Sequence, residues 1–216
     1  MAGFYTAKGN SSAASTPTAA ASALRAGILD LFWDASKLAF YDFNLTSNAR
    51  NTIFTAATFY PLWNGIVPGE LAANASAAFG FFASVNMVLN RYNGTVPVTF
   101  LESGLQWDAP NAWPPHQHIV LEALAALPPN VTGGALPAGA AFDLVPAGQL
   151  GVEEGALPGQ LIIGRGNATK VGAAADVNRL NGTVVNGGNA TEGEGWAAVL
   201  QRELANRYFA SAFCSW

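Results

Sequence analysis

The chain has 216 residues, of which 50% are hydrophobic and only 11% are charged, and it contains six tryptophans. This composition is typical of a packed globular protein and excludes a disordered chain. The formal net charge of −4 provides no basic surface of the kind that binds nucleic acid, and no apolar run is long enough to span a bilayer. Because Cys214 is the only cysteine, the chain can form neither an internal disulfide framework nor a thiolate metal site.

The first half of the chain predicts helices separated by turns and short extended segments. Residues 1–16 are small and polar and are interpreted as a flexible lead-in, after which Pro17 opens a helix. Aromatic residues alternate over residues 33–43, which is typical of an extended segment, and further helices are expected over residues 52–64 and 70–91. The apolar stripe of the first helix comprises Ala23, Leu24, Ile28, Leu31 and Phe32, and that of the third comprises Leu71, Phe79, Phe82, Val85 and Leu89.

The sequence QWDAPNAWPP at residues 106–115 is the strongest candidate for a functional site. Two tryptophans, a carboxylate and two amides lie directly before a helix that Pro114 and Pro115 begin and that ends near residue 127. A flat indole ring offers its face to the C–H side of a sugar, and amides and carboxylates bind hydroxyl groups. The alternative is a buried tryptophan pair that closes a loop onto the core. The candidate binding residues are Gln106, Trp107, Asp108, Asn111 and Trp113.

Other polar residues carry weaker signals. His116 and His118 lie two positions apart on the predicted helix and therefore point to different faces, so we predict no metal site there. Asp34 and Asp42 could contact a ligand, but turn capping is the commoner role for such aspartates. The run Gly164-Arg165-Gly166 is too short for a phosphate-binding loop, and no cofactor is predicted.

The last part of the chain differs in composition. Residues 128–188 are rich in Gly, Ala, Pro and Asn without a sustained period, and only residues 160–163 suggest a strand. We interpret this segment as a glycosylated surface insertion, with intron-derived or mispredicted sequence as the alternative. Residues 194–215 predict a final helix that ends in aromatic residues, which indicates a fragment of a longer protein. The predicted domains are a lead-in (1–16), a helical domain (17–127), the low-complexity insertion (128–192) and a terminal helix (193–216).

Sequons indicate where the protein is found. Eight asparagines have Ser or Thr two positions on, where chance would give about two. This excess predicts N-glycans and a secreted, cell-wall or vacuolar protein. The N-terminus nevertheless lacks the apolar core of a signal peptide, which is a second indication of a fragment. The sequon asparagines are Asn10, Asn44, Asn74, Asn93, Asn130, Asn167, Asn181 and Asn189.

The sequence from Gln106 to Pro115 resembles the second signature of the trehalases (glycoside hydrolase family 37), which hydrolyse α,α-trehalose to two glucoses. Both tryptophans, the acidic residue, the Pro-Asn pair and the terminal prolines match that signature. The likeness extends upstream through Phe32-Trp33-Asp34 and residues 40–44 and 56–62. It covers about residues 20–127 and returns in the last helix.

The resemblance implies an all-α fold. Trehalases form an (α/α)6 barrel of two helix rings, with the active site at the mouth of the inner ring. This chain would therefore form a partial (α/α)6 barrel, an incomplete toroid, with a long irregular Gly/Ala-rich insertion. The substrate implied is the disaccharide trehalose. Trp107 is expected to stack on a glucose ring and Trp113 to support it.

The resemblance also implies inverting hydrolysis, in which one carboxylic acid protonates the leaving oxygen and a second carboxylate activates water. In the family, the acid lies well upstream of the second signature, and the base precedes a glycine-rich run downstream. Neither motif is present here. Glu102 abuts the signature, and Glu194 is better interpreted as a first-turn carboxylate of the last helix. We therefore assign no catalytic residue and expect the chain on its own to be inactive.

Two other interpretations stay open. The chain could be a non-catalytic carbohydrate-binding or regulatory relative built on the same half-barrel, or a segment of another α-toroid glycosidase. Flanking sequence that carries the acid and base motifs would favour the enzyme, and stop codons in their place would favour the binding relative.

Overall fold

The structure is a computed structural model, and it describes residues 1–163, 168–171 and 194–214. Helices form most of its regular structure, and the strands form three short antiparallel pairs, so the predicted all-α class is confirmed. The helices are α1 (Ala2–Ala7), α2 (Ser11–Leu31), α3 (Tyr60–Trp63), α4 (Gly69–Ala73), α5 (Ala75–Arg91), α6 (Pro114–Ala125), α7 (Pro129–Thr132) and α8 (Trp196–Cys214), with 3₁₀ turns at Ala56–Phe59 and Glu154–Ala156. The strand pairs are β1 (Trp33–Asp34) with β2 (Ala39–Phe40), β3 (Asp42–Asn44) with β4 (Ala49–Asn51), and β5 (Gln160–Ile163) with β6 (Ala168–Val171).

Helix α5 lies at the centre of the hydrophobic core. Its first turn is capped by Asn74, whose side-chain oxygen accepts hydrogen bonds from the backbone N–H groups of Ser76 and Ala77. Every residue from 78 to 89 is buried, which requires neighbours on all faces of the helix. Helices α4, α7 and α8 pack against it. The stripe predicted from the sequence is buried as expected: Leu71, Phe79, Phe82, Val85 and Leu89.

Helices α6 and α8 pack against each other, and α6 begins directly after the candidate site. The indole of Trp196, at the start of α8, meets the ring of Phe79 edge to face at 5.4 Å. The side-chain amide of Gln201 on α8 donates a hydrogen bond to the carbonyl of Leu121 on α6, at 2.9 Å. Helices α5, α6 and α8 are thereby joined into one layer, which holds the start of α6 in place.

The N-terminal residues are helical where the sequence predicts an irregular lead-in. Helix α2 begins at Ser11, earlier than expected, because the side-chain oxygen of Asn10 caps it. Part of its predicted apolar stripe is exposed, with Leu24 at 68% and Leu31 at 41% of full accessibility. Among the residues that the structure describes, α2 contacts chiefly α1 and β1, so little of this stripe is covered.

Two predicted helices are shorter than the sequence suggests. The second is reduced to a 3₁₀ turn and the single turn of α3, because the N–H of Ala56 bonds to the carbonyl of Val98 at 2.8 Å, where a helix would use its own preceding turn. The third is divided into α4 and α5 at Asn74, whose backbone is extended (φ −129°, ψ 115°). Both differences arise because tertiary and capping hydrogen bonds replace local helical ones.

The segment interpreted as a surface insertion reaches the core in its described part. Val131, Leu150 and Leu157 are buried there, and so is the polar side chain of Gln149. The Nε2 atom of Gln149 lies 3.0 Å from each of three carbonyl oxygens, those of Lys37, Leu38 and Gly80. This part of the segment is therefore not confined to the surface. The strand predicted at residues 160–163 is confirmed as β5.

Several sequence features lie outside the described residues. They are the run Gly164-Arg165-Gly166 and the sequons at Asn167, Asn181 and Asn189. The other five sequon asparagines are exposed: Asn10, Asn44, Asn74, Asn93 and Asn130. Over the described ranges, the search for a helix both long and apolar enough to cross a bilayer finds none.

Candidate functional site

The five predicted binding residues lie together in one compact loop, residues 105–113, which we call the signature loop. Two backbone hydrogen bonds close its turns, from the N–H of Asp108 to the carbonyl of Leu105 at 3.2 Å and from the N–H of Asn111 to the carbonyl of Asp108 at 3.0 Å. The side-chain amide of Asn111 also donates to the carbonyl of Leu105, at 3.2 Å. Asn111 thus contributes to the internal structure of the loop.

Asp108 anchors the signature loop to the segment that precedes it. Its Oδ1 atom accepts a hydrogen bond from the Thr99 hydroxyl at 2.6 Å, and its Oδ2 atom accepts one from the Ser103 hydroxyl. The bonds from Ser103 and then Thr99 lower the pKa of the Asp108 carboxyl below its ordinary value of 3.8. The carboxylate is therefore ionised near neutral pH and is poorly suited to donate a proton.

The two indoles of the loop are stacked on each other. The ring centroids of Trp107 and Trp113 lie 4.8 Å apart, with 27° between the ring planes. The indole N–H of Trp113 donates to the backbone carbonyl of Gln106 at 3.3 Å, which holds Trp113 against the loop. Trp107 is 56% exposed, whereas Trp113 is half-buried. The expectation of a contact tryptophan and a supporting tryptophan remains a prediction, and this arrangement is compatible with it.

The side chain of Gln106, which directly precedes Trp107 in the loop, is exposed. Among the described residues, it has no hydrogen-bond partner and differs in this from Asp108 and Asn111, whose side chains bond within the protein. Its amide can therefore both donate to and accept from a polyhydroxylated ligand. Its predicted role as a binding residue stays a prediction.

An aromatic row continues from the indole pair along the start of α6. The ring of His116 lies 6.1 Å from that of Trp107 and 6.0 Å from that of Tyr60. Tyr60 in turn contacts Trp63, which also lies 6.5 Å from the ring of His118. The two histidines point to different faces as predicted, since His116 is buried and His118 is exposed.

Sequence reasoning missed the residue that fixes the loop to α6. Gln117 is 1% exposed, and its side chain bonds to both backbone groups of Val96: Nε2 donates to the carbonyl at 2.8 Å and Oε1 accepts from the N–H at 3.1 Å. The signal was available in the sequence. Gln117 lies three residues before Val120 and seven before Leu124, so it is an amide within the apolar stripe of the helix.

Backbone hydrogen bonds link the segment held by Gln117, which we call the Gln117 clamp, to the signature loop. The N–H of Val98 donates to the carbonyl of Asn111 at 3.2 Å, and the carbonyl of Val98 accepts from Ala56. The segment of residues 96–99 is therefore bonded on both sides, although it forms no regular strand. The loop is held by this segment and by Asp108, and its shape is defined by tertiary contacts.

The carboxylates considered for catalysis lie apart from the indole pair or are otherwise engaged. Glu194 lies two residues before α8 begins, so its predicted place in the first turn of that helix is wrong; it forms an ion pair with Arg202, further along α8, at 2.9 Å. Glu102 is exposed and lines a cleft of about 300 Å³, formed also by Tyr92, Phe100 and Pro110. Asp34 caps a turn by accepting from the backbone of Ser36, as predicted.

No metal centre is indicated within the described ranges, where no group of three or more His, Cys, Asp and Glu side chains is suitably arranged.

Comparison with known proteins places this loop in a family. The family model described as Trehalase matches residues 1–136, which is more than half of the chain and includes the signature loop. The chain belongs to the trehalase family. The trehalase match ends shortly after α7, and the later part of the chain lies outside it.

Individual trehalases show the same relationship. Rabbit trehalase (Oryctolagus cuniculus) is 31% identical over 128 residues, and human trehalase is 30% identical over 128 residues. A periplasmic trehalase of Citrobacter koseri is 31% identical over 118 residues. These alignments cover 59%, 59% and 55% of this chain, but only 22%, 21% and 20% of the three relatives. The chain thus spans about a fifth of the length of the curated trehalases that it matches.

Proposed function

We propose that this chain is the signature-loop portion of an α,α-trehalase, a glycoside hydrolase that converts trehalose to two glucoses with inversion. The observation that carries the proposal is the stacking of the exposed indole of Trp107 on Trp113, which lies within the region that matches the trehalase family. A half-exposed indole with polar groups beside it suits the alternating C–H and O–H surface of a glucose ring.

The proposed role of each loop residue follows from its hydrogen bonds. Trp107 stacks on a glucose ring, and Gln106, whose amide is exposed, bonds the sugar hydroxyls. Asp108 and Asn111 bond within the protein and shape the pocket, although their remaining lone pairs and N–H groups can reach a ligand. Trp113 supports Trp107 from behind.

The proposed architecture is part of an (α/α)6 barrel. It is supported by the layer of α5, α6 and α8 and by the strand pairs and turns that separate consecutive helices. In this proposal residues 17–127 belong to the barrel, residues 193–216 provide a further barrel helix, and residues 128–192 are an insertion between them.

Catalysis is proposed to require an acid and a base that the carboxylates considered among the described residues do not provide. Inversion needs an acid and a base about 6.5–9.5 Å apart with water between them. Asp108 is ionised and bonded through both oxygens, and Glu194 is paired with Arg202. We therefore propose no catalytic residue here and expect no turnover by the 216-residue chain alone.

A second candidate is a carbohydrate-binding relative without catalysis. It is favoured by the same engagement of Asp108, whose two oxygens both accept hydrogen bonds, so that the carboxylate next to Trp107 is poorly suited to donate a proton. For either candidate we propose a secretory location with N-glycans. Five exposed sequons support this, and one of the relatives is a periplasmic enzyme.

Calorimetric titration of the purified chain with trehalose tests the binding function. Trp107→Ala should weaken trehalose binding about ten-fold, because a stacking contact is worth about 1–2 kcal/mol. Trp63→Ala is the matched control, since Trp63 is also exposed, at 46%, and lies outside the signature loop. Equal affinities for the wild type and Trp107→Ala would remove the assignment. Release of glucose by the wild-type chain would refute its predicted inactivity and, with it, the binding relative.

A further inference from the structure

His116 is a buried aromatic residue that the proposed function does not use. It lies in the first turn of α6 and is only 9% exposed. Its ring meets the indole of Trp107 edge to face, with 6.1 Å between centroids and 79° between planes. On its other side lies the phenol ring of Tyr60, at 6.0 Å and 34°. The imidazole thus lies between the exposed indole of Trp107 and Tyr60, the first residue of α3.

Hydrogen bonds do not explain why a histidine is buried here. Its Nδ1 atom is buried and has no hydrogen-bond partner among the described residues. Burial lowers the pKa of His116, which favours the neutral ring. An imidazole that forgoes a hydrogen bond is held in place by its aromatic neighbours.

The backbone of His116 is also joined to the backbone of Trp113, the second tryptophan of the pair. The backbone N–H of His116 donates to the carbonyl of Trp113 at 3.1 Å. His116 therefore contacts Trp107 through its ring and Trp113 through its backbone. Since α6 packs on α8, both contacts attach the two tryptophans to a helix that is packed in the core.

We propose that His116 is a positioning residue that holds Trp107 at its stacking angle on Trp113, and so keeps the outer face of the Trp107 indole presented to the sugar. The effect on sugar binding rests on the proposed function, whereas the effect of His116 on the orientation of the two indoles does not depend on it. A histidine that merely filled space would influence the stability of the protein and leave the mutual orientation of the two indoles unchanged.

Far-ultraviolet circular dichroism measures that orientation directly, because two stacked indoles give an exciton couplet. The wild-type spectrum minus that of Trp107→Phe isolates the couplet of the pair. His116→Ala should remove about half of it or more, whereas His116→Phe, which restores an aromatic edge, should retain it. His118→Ala is the matched control, because His118 lies on the same helix and contacts Trp63. A full couplet in folded His116→Ala overturns the proposal.

A second measurement covers the case in which His116→Ala does not fold. In the wild type, the ring current of Trp107 should shift the imidazole proton resonances of His116, and Trp107→Phe should change that shift. The resonances of His118 serve as the internal control. If those of His116 stay where they are while the protein remains folded, the contact is absent and the proposal fails.

Trehalose titration separates this proposal from the function beneath it. His116→Ala should bind trehalose about five-fold more weakly, and His116→Phe close to the wild type. If the wild type binds no trehalose, the proposed function fails while the couplet still decides the positioning role. If the couplet is lost in His116→Ala but trehalose affinity is unchanged, the positioning of Trp107 does not serve binding. That result would refute the proposed link between His116 and sugar binding.

Discussion

The side chain of Gln117 and the backbone of Val96, 21 residues apart in sequence, are joined by two hydrogen bonds that leave neither group of Val96 unpaired. This pairing imitates the contact between two strands, although one partner is a helix side chain. It fixes the segment that enters the signature loop to the helix that leaves it. One buried amide therefore sets the distance between Val96, ahead of the loop, and the first turn of α6.

Gln117→Ala should destabilise the protein by about 1–3 kcal/mol, because it leaves the buried N–H and carbonyl of Val96 without partners. The free energy of unfolding in urea measures the change. Gln106→Ala is the control for stability, since Gln106 is exposed and its replacement should alter that free energy by less than about 0.5 kcal/mol. Equal stability of the two variants would mean that water or a shifted loop replaces the clamp.

Acid should loosen the signature loop through Asp108. The folded pKa of this carboxyl lies below 3.8, so its stabilising contribution is complete above that pH and is lost as the pH falls through the lower folded value. The urea midpoint of the wild type should therefore fall more steeply than that of Asp108→Asn as the pH drops below about 4. Parallel profiles for the two proteins would show that the bonds from Thr99 and Ser103 do not favour the ionised carboxylate.

Arg207 should be among the most sensitive positions in α8. Its guanidinium is buried, bonds to Glu203 at 2.7 Å, and donates to the carbonyls of Leu89 and Tyr92 at the end of α5. Removing one partner of a buried pair leaves a buried charge, so Arg207→Ala should cost about 3–5 kcal/mol in urea unfolding.

Two further variants check this interpretation. Arg202→Ala breaks the more exposed pair with Glu194 and should cost at most about 1 kcal/mol. Adding Glu203→Leu to Arg207→Met should recover part of the loss, because no unpaired charge then remains buried. A double variant less stable than Arg207→Met alone would contradict the buried-charge explanation.

Gly195 should not accept a side chain. A Cβ atom there would lie 2.3 Å from the carbonyl oxygen of Thr132 and 2.7 Å from the Cα of Gly133, both of which are backbone atoms. Gly195→Ala should therefore destabilise the protein by about 2 kcal/mol or more by separating α8 from α7. Gly155→Ala is the control, because no atom lies within 4 Å of its added Cβ. Thermal unfolding compares the two, and a neutral Gly195→Ala would show that the close approach is not required.

The sequence predicted best what depends on local pattern. The buried stripe of α5, the start of α6 at its prolines and the grouping of the binding residues in one loop all follow from short-range spacing and proline geometry. The stacking of Trp107 on Trp113 did not follow, since five residues of irregular loop separate them and their approach depends on how that loop folds.

Contacts between a buried polar side chain and a distant carbonyl could not be predicted from pattern. The acceptors of Gln117 and Arg207 are backbone oxygens, which every residue possesses, so nothing in the sequence marks Val96 or Leu89 as a partner. The helix boundaries were predicted wrongly for the same reason. The bond from Ala56 to Val98 shortens a helix whose own residues favour it.

The position of Gln149 in the chain has a consequence for synthesis on the ribosome. Its amide is the partner of carbonyls at Lys37 and Leu38, and its own carbonyl accepts the Tyr41 hydroxyl, across more than a hundred intervening residues. The carbonyls of the turn between the first two strands therefore remain hydrogen-bonded to water until Gln149 has emerged from the ribosome. Contacts of such long sequence separation form slowly, so this turn is exposed during synthesis and is a segment that a chaperone could bind at that stage.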